Sequence, residues 1–197
     1  MSGHKFDSRR AASLEGFWRR RLAPWREVLD AAAPGPDEDW ADIGCGPGFY
    51  AEPLARRART VHALDLSPDM VALVAAKAAR LGLDNVRPAV CGEAALSLPD
   101  AAVHGVLLVF VVHELDRPEA FFAETARVLR PGGRIMVVEF AAEGFSLGPP
   151  RGHRVTAAQV RAWAAAAGLA PGAEHRWSRR LLGWRFLDFA GLVLHKP

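Results

Sequence analysis

Cysteine is nearly absent from this sequence. Cys45 and Cys91 are the only two, and no C-x-x-C pair occurs, which excludes a disulfide framework and a thiolate metal site. Both are read as reduced thiols. Lysine is almost as scarce, because only three of the 25 basic residues are Lys and the other 22 are Arg, in an alanine-rich background. With a net charge of +3 and a pI near 9.3, that bias reads first as base composition rather than as the dense stripe of a nucleic-acid binder, and nucleic acid is not expected as a partner. Long apolar runs are also missing. The longest, Val106 to Val112, is too short to span a bilayer, and residues 1 to 17 carry no apolar signal-peptide core. The expectation is a cytoplasmic protein with no membrane span.

What is present centres on Trp40-Ala41-Asp42-Ile43-Gly44-Cys45-Gly46-Pro47-Gly48, an apolar strand that meets an acidic residue and then glycines at alternate positions. Such a loop turns sharply against a ligand, since glycine takes backbone angles closed to other residues. A dinucleotide fingerprint, G-x-G-x-x-G, would need glycine at 49, where Phe stands. Asp42 would repel a pyrophosphate and suits an ammonium group instead. Further on, Val61-His62-Ala63-Leu64 reads as strand 2 and ends in Asp65, a carboxylate able to accept both hydroxyls of a ribose. Val86 to Val90 reads as strand 3 and leads into Cys91-Gly92-Glu93-Ala94. Leu129-Arg130-Pro131-Gly132-Gly133-Arg134 precedes strand 5, Ile135 to Phe140.

Those four segments, in that order, resemble the class I S-adenosylmethionine-dependent methyltransferases: motif I, the acidic residue after strand 2, the G-D-A segment with Glu93 in place of Asp, and the L-x-P-G-G turn. The arrangement looks most like the ubiquinone/menaquinone-type small-molecule enzymes, and it lacks the N-P-P-Y signature of amino-group methylases. The resemblance implies an α/β, Rossmann-like fold. Its mostly parallel seven-stranded sheet has the order 3-2-1-4-5-7-6, with the last strand antiparallel and helices on both faces. It also implies S-adenosylmethionine as cofactor and S-adenosylhomocysteine as product, with a small-molecule methyl acceptor. Carried over residue by residue, the cofactor contacts fall on Asp42, Gly44, Cys45, Gly46 and Gly48, on Asp65, Leu66 and Met70, on Gly92, Glu93 and Ala94 over the adenine, and on Phe110.

The rest of the chain is fitted around that site as one domain, 1–197, with a helical lid and linker in 1–36 and the core in 37–197. Leu14, Phe17, Trp18, Leu22, Trp25, Val28 and Leu29 predict helix over residues 8 to 32, divided at Pro24. This stripe serves either core packing or a lid over substrate. A first core helix is predicted from Phe49 to Arg59. A second starts at Ser67 with a hydroxyl cap, buries Met70, Leu73, Val74, Ala78 and Leu81, and ends at Gly82. Val103 to Val112, apolar on both faces, reads as central strand 4. Asp116 and Glu119 resemble a capping box for a helix burying Phe121, Phe122, Thr125, Val128 and Leu129. Ala141 to Arg154 forms a Gly/Pro-rich loop, Thr156 to Gln159 a capping box for a helix stopping at Gly168, and Ala173 to Lys196 a hairpin around Gly183.

Methyl transfer from a sulfonium starts from an activated electrophile, so few catalytic groups are expected beyond those that hold the nucleophile and take its proton. His113 and Glu114, at the tip of strand 4, and His153, in the loop after strand 5, are the candidates, with Glu139 ending strand 5. His62, His104, His175 and His195 lie in strand segments and read as structural. No second histidine follows His113-Glu114 at zincin spacing, so no metal is expected. Three alternatives stay open. One is RNA or protein methylation, with Arg9, Arg10, Arg19, Arg20, Arg21, Arg176, Arg179 and Arg180 holding the partner. Another is a non-catalytic S-adenosylmethionine-binding regulatory module. The third, a dehydrogenase, is disfavoured by Phe49.

Overall fold

The computed structural model describes residues 22–142, 150–181 and 184–197. Seven strands form one sheet: β1 (Asp39–Ile43), β2 (Thr60–Asp65), β3 (Val86–Val90), β4 (Val103–Val109), β5 (Leu129–Phe140), β6 (Ala170–Leu181) and β7 (Trp184–His195). Their order is β3-β2-β1-β4-β5-β7-β6. The first five neighbours pair in parallel, whereas β7 runs against both β5 and β6. Every residue of β1 is buried, as is every residue of β4 except His104. Central parallel strands take this form when helices cover both of their faces. Close packing sets individual residues too. A Cβ on Gly105 would lie 2.4 Å from the ring of Trp40, so β4 passes that indole only as glycine.

Two apolar layers sandwich the sheet. On one face α1 (Trp25–Ala32), α2 (Ala51–Ala55) and α3 (Pro68–Leu81) pack Val28, Leu29, Leu54 and Val74 against Trp40, Val61, Leu107 and Val138. On the other, α4 (Pro118–Val128) and α5 (Ala157–Ala166) set Phe121, Phe122, Val160 and Ala164 against Ile43, Val106, Leu108 and Ile135. The alternation of neighbouring strand residues between the two layers is the period-2 geometry of a β-strand. All five parallel strands therefore present their carboxyl ends at one edge, where an open α/β sheet binds its ligand.

Several local expectations are corrected. The first core helix is only Ala51–Ala55, because Asn85 Nδ2 donates to the carbonyls of Ala55 (2.7 Å) and Ala58 (3.1 Å) and stops the turn. The Ser67 hydroxyl makes no cap bond to α3; the Ser67 amide donates to Asp65 Oδ1 at 2.9 Å instead. Leu73 is 44% exposed, and Lys77 takes the buried place on that helix. Strand 4 ends at Val109, three residues early, where Phe110 turns with φ +61°. Helix α4 begins at Pro118 with Arg117 as N-cap, so the Asp116/Glu119 capping box does not form. The Pro131-Gly132-Gly133 turn is absorbed into β5 as a register shift opposite Val103/Gly105. The Thr156/Gln159 capping box forms as expected. Leu14, Phe17 and Trp18, with the arginines at 9, 10 and 19–21, lie outside the described residues.

Candidate active site

A cavity of about 810 Å³ opens at the carboxyl edge of the sheet. One end is built from the three loops after β1, β2 and β3. The amides of Gly44 and Cys45 both donate to Leu64 O (2.8 and 3.0 Å), which ties the glycine loop to β2. Gly44 has φ +68°, and a Cβ there would stand 2.5 Å from Val111 Cγ2, so only glycine fits both the turn and the space. Asp65 bridges loops: Oδ2 accepts from Gly46 N at 2.8 Å and Oδ1 from Ser67 N at 2.9 Å. Each carboxylate oxygen offers about two acceptor directions, so the group still has capacity for a ligand's hydroxyls. Gly48 does not line the cavity. Its carbonyl accepts from the buried Lys77 Nζ at 3.0 Å, and its Cα packs against Val74.

Asp42 sits beneath the loop at 2% exposure. Among the described residues its Oδ2 has no hydrogen-bond partner. Burial pushes its carboxyl up to about 7, and the nearby Asp65 charge adds to the rise against the Ala51 amide and Lys77. A buried acid with one idle oxygen, lining a cavity, is set to receive a cation. Cys45 and Cys91 line the same end as free buried thiols. Burial pushes both up, Cys91 to about 11, so neither is a thiolate near neutral pH. Leu66, Met70, Gly92 and Glu93 also line the cavity, whereas Ala94 does not. Glu93 Oε1 accepts from the Arg117 amide at 2.6 Å and ties this loop to the start of α4.

The other end is apolar. Phe110 and Phe140 stack with centroids 4.5 Å apart, and Phe189 lies 5.7 Å from Phe110 and 5.8 Å from Phe140. Leu187, Leu22 and Ala23 complete that wall. At its border a 3-10 turn, Val112–Glu114, presents His113. The Nδ1 of His113 lies 2.7 Å from Glu139 Oε2, while Glu139 Oε1 accepts from the amides of Val112 (2.7 Å) and His113 (3.3 Å). His113 Nε2 is 3.8 Å from Glu114 Oε1. Burial works against the charged ring. The hydrogen bond and charge of Glu139, with the charge of Glu114, outweigh it, so the pKa stands above the ordinary histidine value.

A family model described as "Methyltransferase domain" matches residues 41–137. A ubiquinone biosynthesis O-methyltransferase of Caulobacter vibrioides is 37% identical over 135 residues, 64% of this chain and 53% of that protein. A demethylmenaquinone methyltransferase of Tropheryma whipplei is 31% identical over 127 residues, 64% of this chain and 49% of that one. The crystal structure of a SAM-dependent methyltransferase from Aquifex aeolicus superposes with a TM-score of 0.82 at 26% identity, over 96% of this chain and 99% of that one. The chain carries a methyltransferase domain over residues 41–137 and is similar in fold to S-adenosylmethionine-dependent methyltransferases. It spans about half the length of the curated relatives it matches.

The cofactor of that family fits the residues present. The idle Asp42 oxygen suits the ammonium, Asp65 the ribose, and the Gly44 turn leaves the loop free of side-chain bulk. Of the residues singled out from sequence, Asp42, Gly44, Cys45, Gly46, Asp65, Leu66, Met70, Gly92, Glu93, Phe110, His113 and Glu114 share one cavity. Gly48 and Ala94 are not among its lining residues. His153 is exposed on a second 3-10 turn, Arg151–His153, with its amide donating to Pro150 O, and does not line the cavity. Sequence reasoning had no use for Phe140, Leu187 and Phe189, and it set Glu139 at a strand tip without a partner. The signal for Glu139 was the one that found Asp42 and Asp65: an acid ending an apolar strand, Val137-Val138-Glu139.

Proposed function

We propose that this protein transfers the methyl group of S-adenosylmethionine to a small, largely apolar acceptor that gives up a proton. The observation that carries the reading is the shared cavity. Its carboxylate-lined end, on β1–β3, is continuous with an aromatic wall on β4, β5 and β7, and His113 stands where the two meet. The relatives named for demethylmenaquinone and ubiquinone support an acceptor of that apolar kind.

When bound, the cofactor supplies a methyl already activated by a sulfonium, so the protein's part is positioning and proton removal. Asp42 would receive the ammonium, Asp65 the ribose hydroxyls, and Leu66, Met70, Gly92 and Glu93 would enclose the base. Phe110, held at positive φ, turns its ring against Phe140, and the pair gives a flat acceptor a face to stack on. The Nε2 of His113 takes the acceptor's proton, with Glu114 near enough to stabilise the resulting charge. His113 acts as a base only when neutral. Its raised pKa therefore makes turnover climb as pH passes through and above the ordinary histidine range.

The test is incubation with methyl-labelled S-adenosylmethionine and fractionated cell extract. Label should enter a small product that partitions into organic solvent. Label in RNA or protein, or none at all while the cofactor is bound, would overturn the small-molecule reading.

A further inference from the structure

We infer that Glu139 is the positioning residue of this site: it fixes the His113 ring so that Nδ1 carries the proton and Nε2 is the atom offered to the acceptor. The role of Nε2 rests on the transfer reading above, whereas the coupling between Glu139 and His113 does not. The carboxylate is 5% exposed at the end of β5. It accepts from two backbone amides of the turn that carries His113, at 2.7 and 3.3 Å, and meets the Nδ1 of that histidine at 2.7 Å. The two amides can only donate. A carboxylate accepts only, so the third bond requires a proton on Nδ1. In the neutral ring the lone pair then lies on Nε2, which faces Glu114 at the cavity border.

The same three bonds explain how the turn is built. Strand β4 breaks off at Val109, and Phe110 departs from the strand at φ +61°. The Phe110 amide still reaches Val138 O at 2.9 Å, so β5 continues to hold the chain beyond the last residue of β4. Glu139, one residue on, extends that hold to Val112 and His113 in place of strand pairing. A residue that only capped the turn would satisfy the amides and leave the ring free to take either tautomer. Among the described residues, the charged groups facing His113 are Glu139 from β5 and Glu114 from its own turn. Of these Glu139 is the buried one, so it governs both tautomer and basicity.

The experiment is nitrogen-15 NMR of the histidine rings in wild type, with His113 assigned by its disappearance in His113→Asn, followed by the same titration in Glu139→Gln. Glutamine keeps an oxygen for the two amides and removes the charge. The expected result is a protonated Nδ1 and an unprotonated Nε2 in the neutral wild-type ring, a midpoint above that of an ordinary histidine, and a lower midpoint in Glu139→Gln. With an acceptor in hand, kcat should fall roughly 10- to 100-fold in that variant, with KM moving less than about twofold, short of the loss for removing a base outright. A wild-type ring protonated on Nε2 would overturn the inference even if the variant failed to fold. An unchanged midpoint in folded Glu139→Gln would overturn it too. Absence of turnover by wild type with any acceptor would count against methyl transfer alone, since the ring signals report the coupling independently.

Discussion

The two ends of the cavity are built on different principles. At β1–β3 the chain makes a binding surface out of backbone: glycine turns, amides bonded to Leu64 O and Asp65, and acids at two successive strand tips. At β4, β5 and β7 it makes one out of side chains, with a phenylalanine cluster beside a single histidine–carboxylate pair. The first surface suits a ligand whose shape does not vary, and it needs particular residue types at particular spacings. The second demands only apolar bulk plus one aimed polar group, which many sequences supply.

Substitutions at the two ends should therefore separate binding from turnover. The largest effect belongs to His113→Asn. It should lower methyl transfer by ~100- to 10,000-fold while calorimetry finds cofactor affinity within about twofold of wild type. Loss of both together would mean the ends are not independent.

Asp65→Ala should act at the opposite end, weakening cofactor binding by ~1 to 3 kcal/mol as the hydroxyls lose a charged acceptor. From sequence alone that residue reads as a ligand contact. The bonds to Gly46 N and Ser67 N show that it also pins two loops. Denaturant unfolding of the ligand-free variant should then show a loss of ~1 kcal/mol. An unchanged midpoint would make the loops self-supporting.

Asp42 sharpens the comparison through pH. Its folded pKa, about 7, lies above the value of 3.8 for an unperturbed group. The folded protein thus holds the proton more tightly than the unfolded chain. The stability associated with protonated Asp42 is complete below pH ~4 and is lost as pH rises to about 7, by roughly 1 kcal/mol per pH unit. Measured without ligand at pH 5, 6 and 7, wild type should lose ground to Asp42→Asn across that window. Parallel pH profiles for the two proteins would contradict the burial of a lone acid there.

The smallest effect is expected from Phe140→Leu, which removes the stack on Phe110 and keeps apolar volume. Acceptor KM should rise by the equivalent of about 0.5 to 1 kcal/mol, with cofactor affinity unmoved. A change in cofactor affinity instead would shift the aromatic wall to the cofactor's side of the cavity.

How far the sequence could be read follows the same division. The strand order, the loop acids and the Gly44–Gly46 turn were legible because each rests on a local rule: an apolar run, an acid at its end, glycine where the chain must bend. The length of α2 was not, since a side chain from Asn85, far along the chain, ends it. The end of β4 was misjudged because Phe110 and Val111 are as apolar as the strand before them, and the bend is imposed by β5 through Val138 and Glu139. Lys77 took the place given to Leu73 because its ammonium reaches Gly48 O and Glu52 across the helix, a tertiary demand that helical periodicity does not encode. Phe140, Leu187 and Phe189 came together only through the antiparallel pairing of β7 with β5.

The most direct test is calorimetric titration of chelator-treated protein with S-adenosylmethionine and with S-adenosylhomocysteine. The loops after β1–β3 predict one site per chain for each ligand, with no metal required. A folded protein that takes up neither ligand would contradict the assignment of this cavity, and with it the division of labour between its two ends.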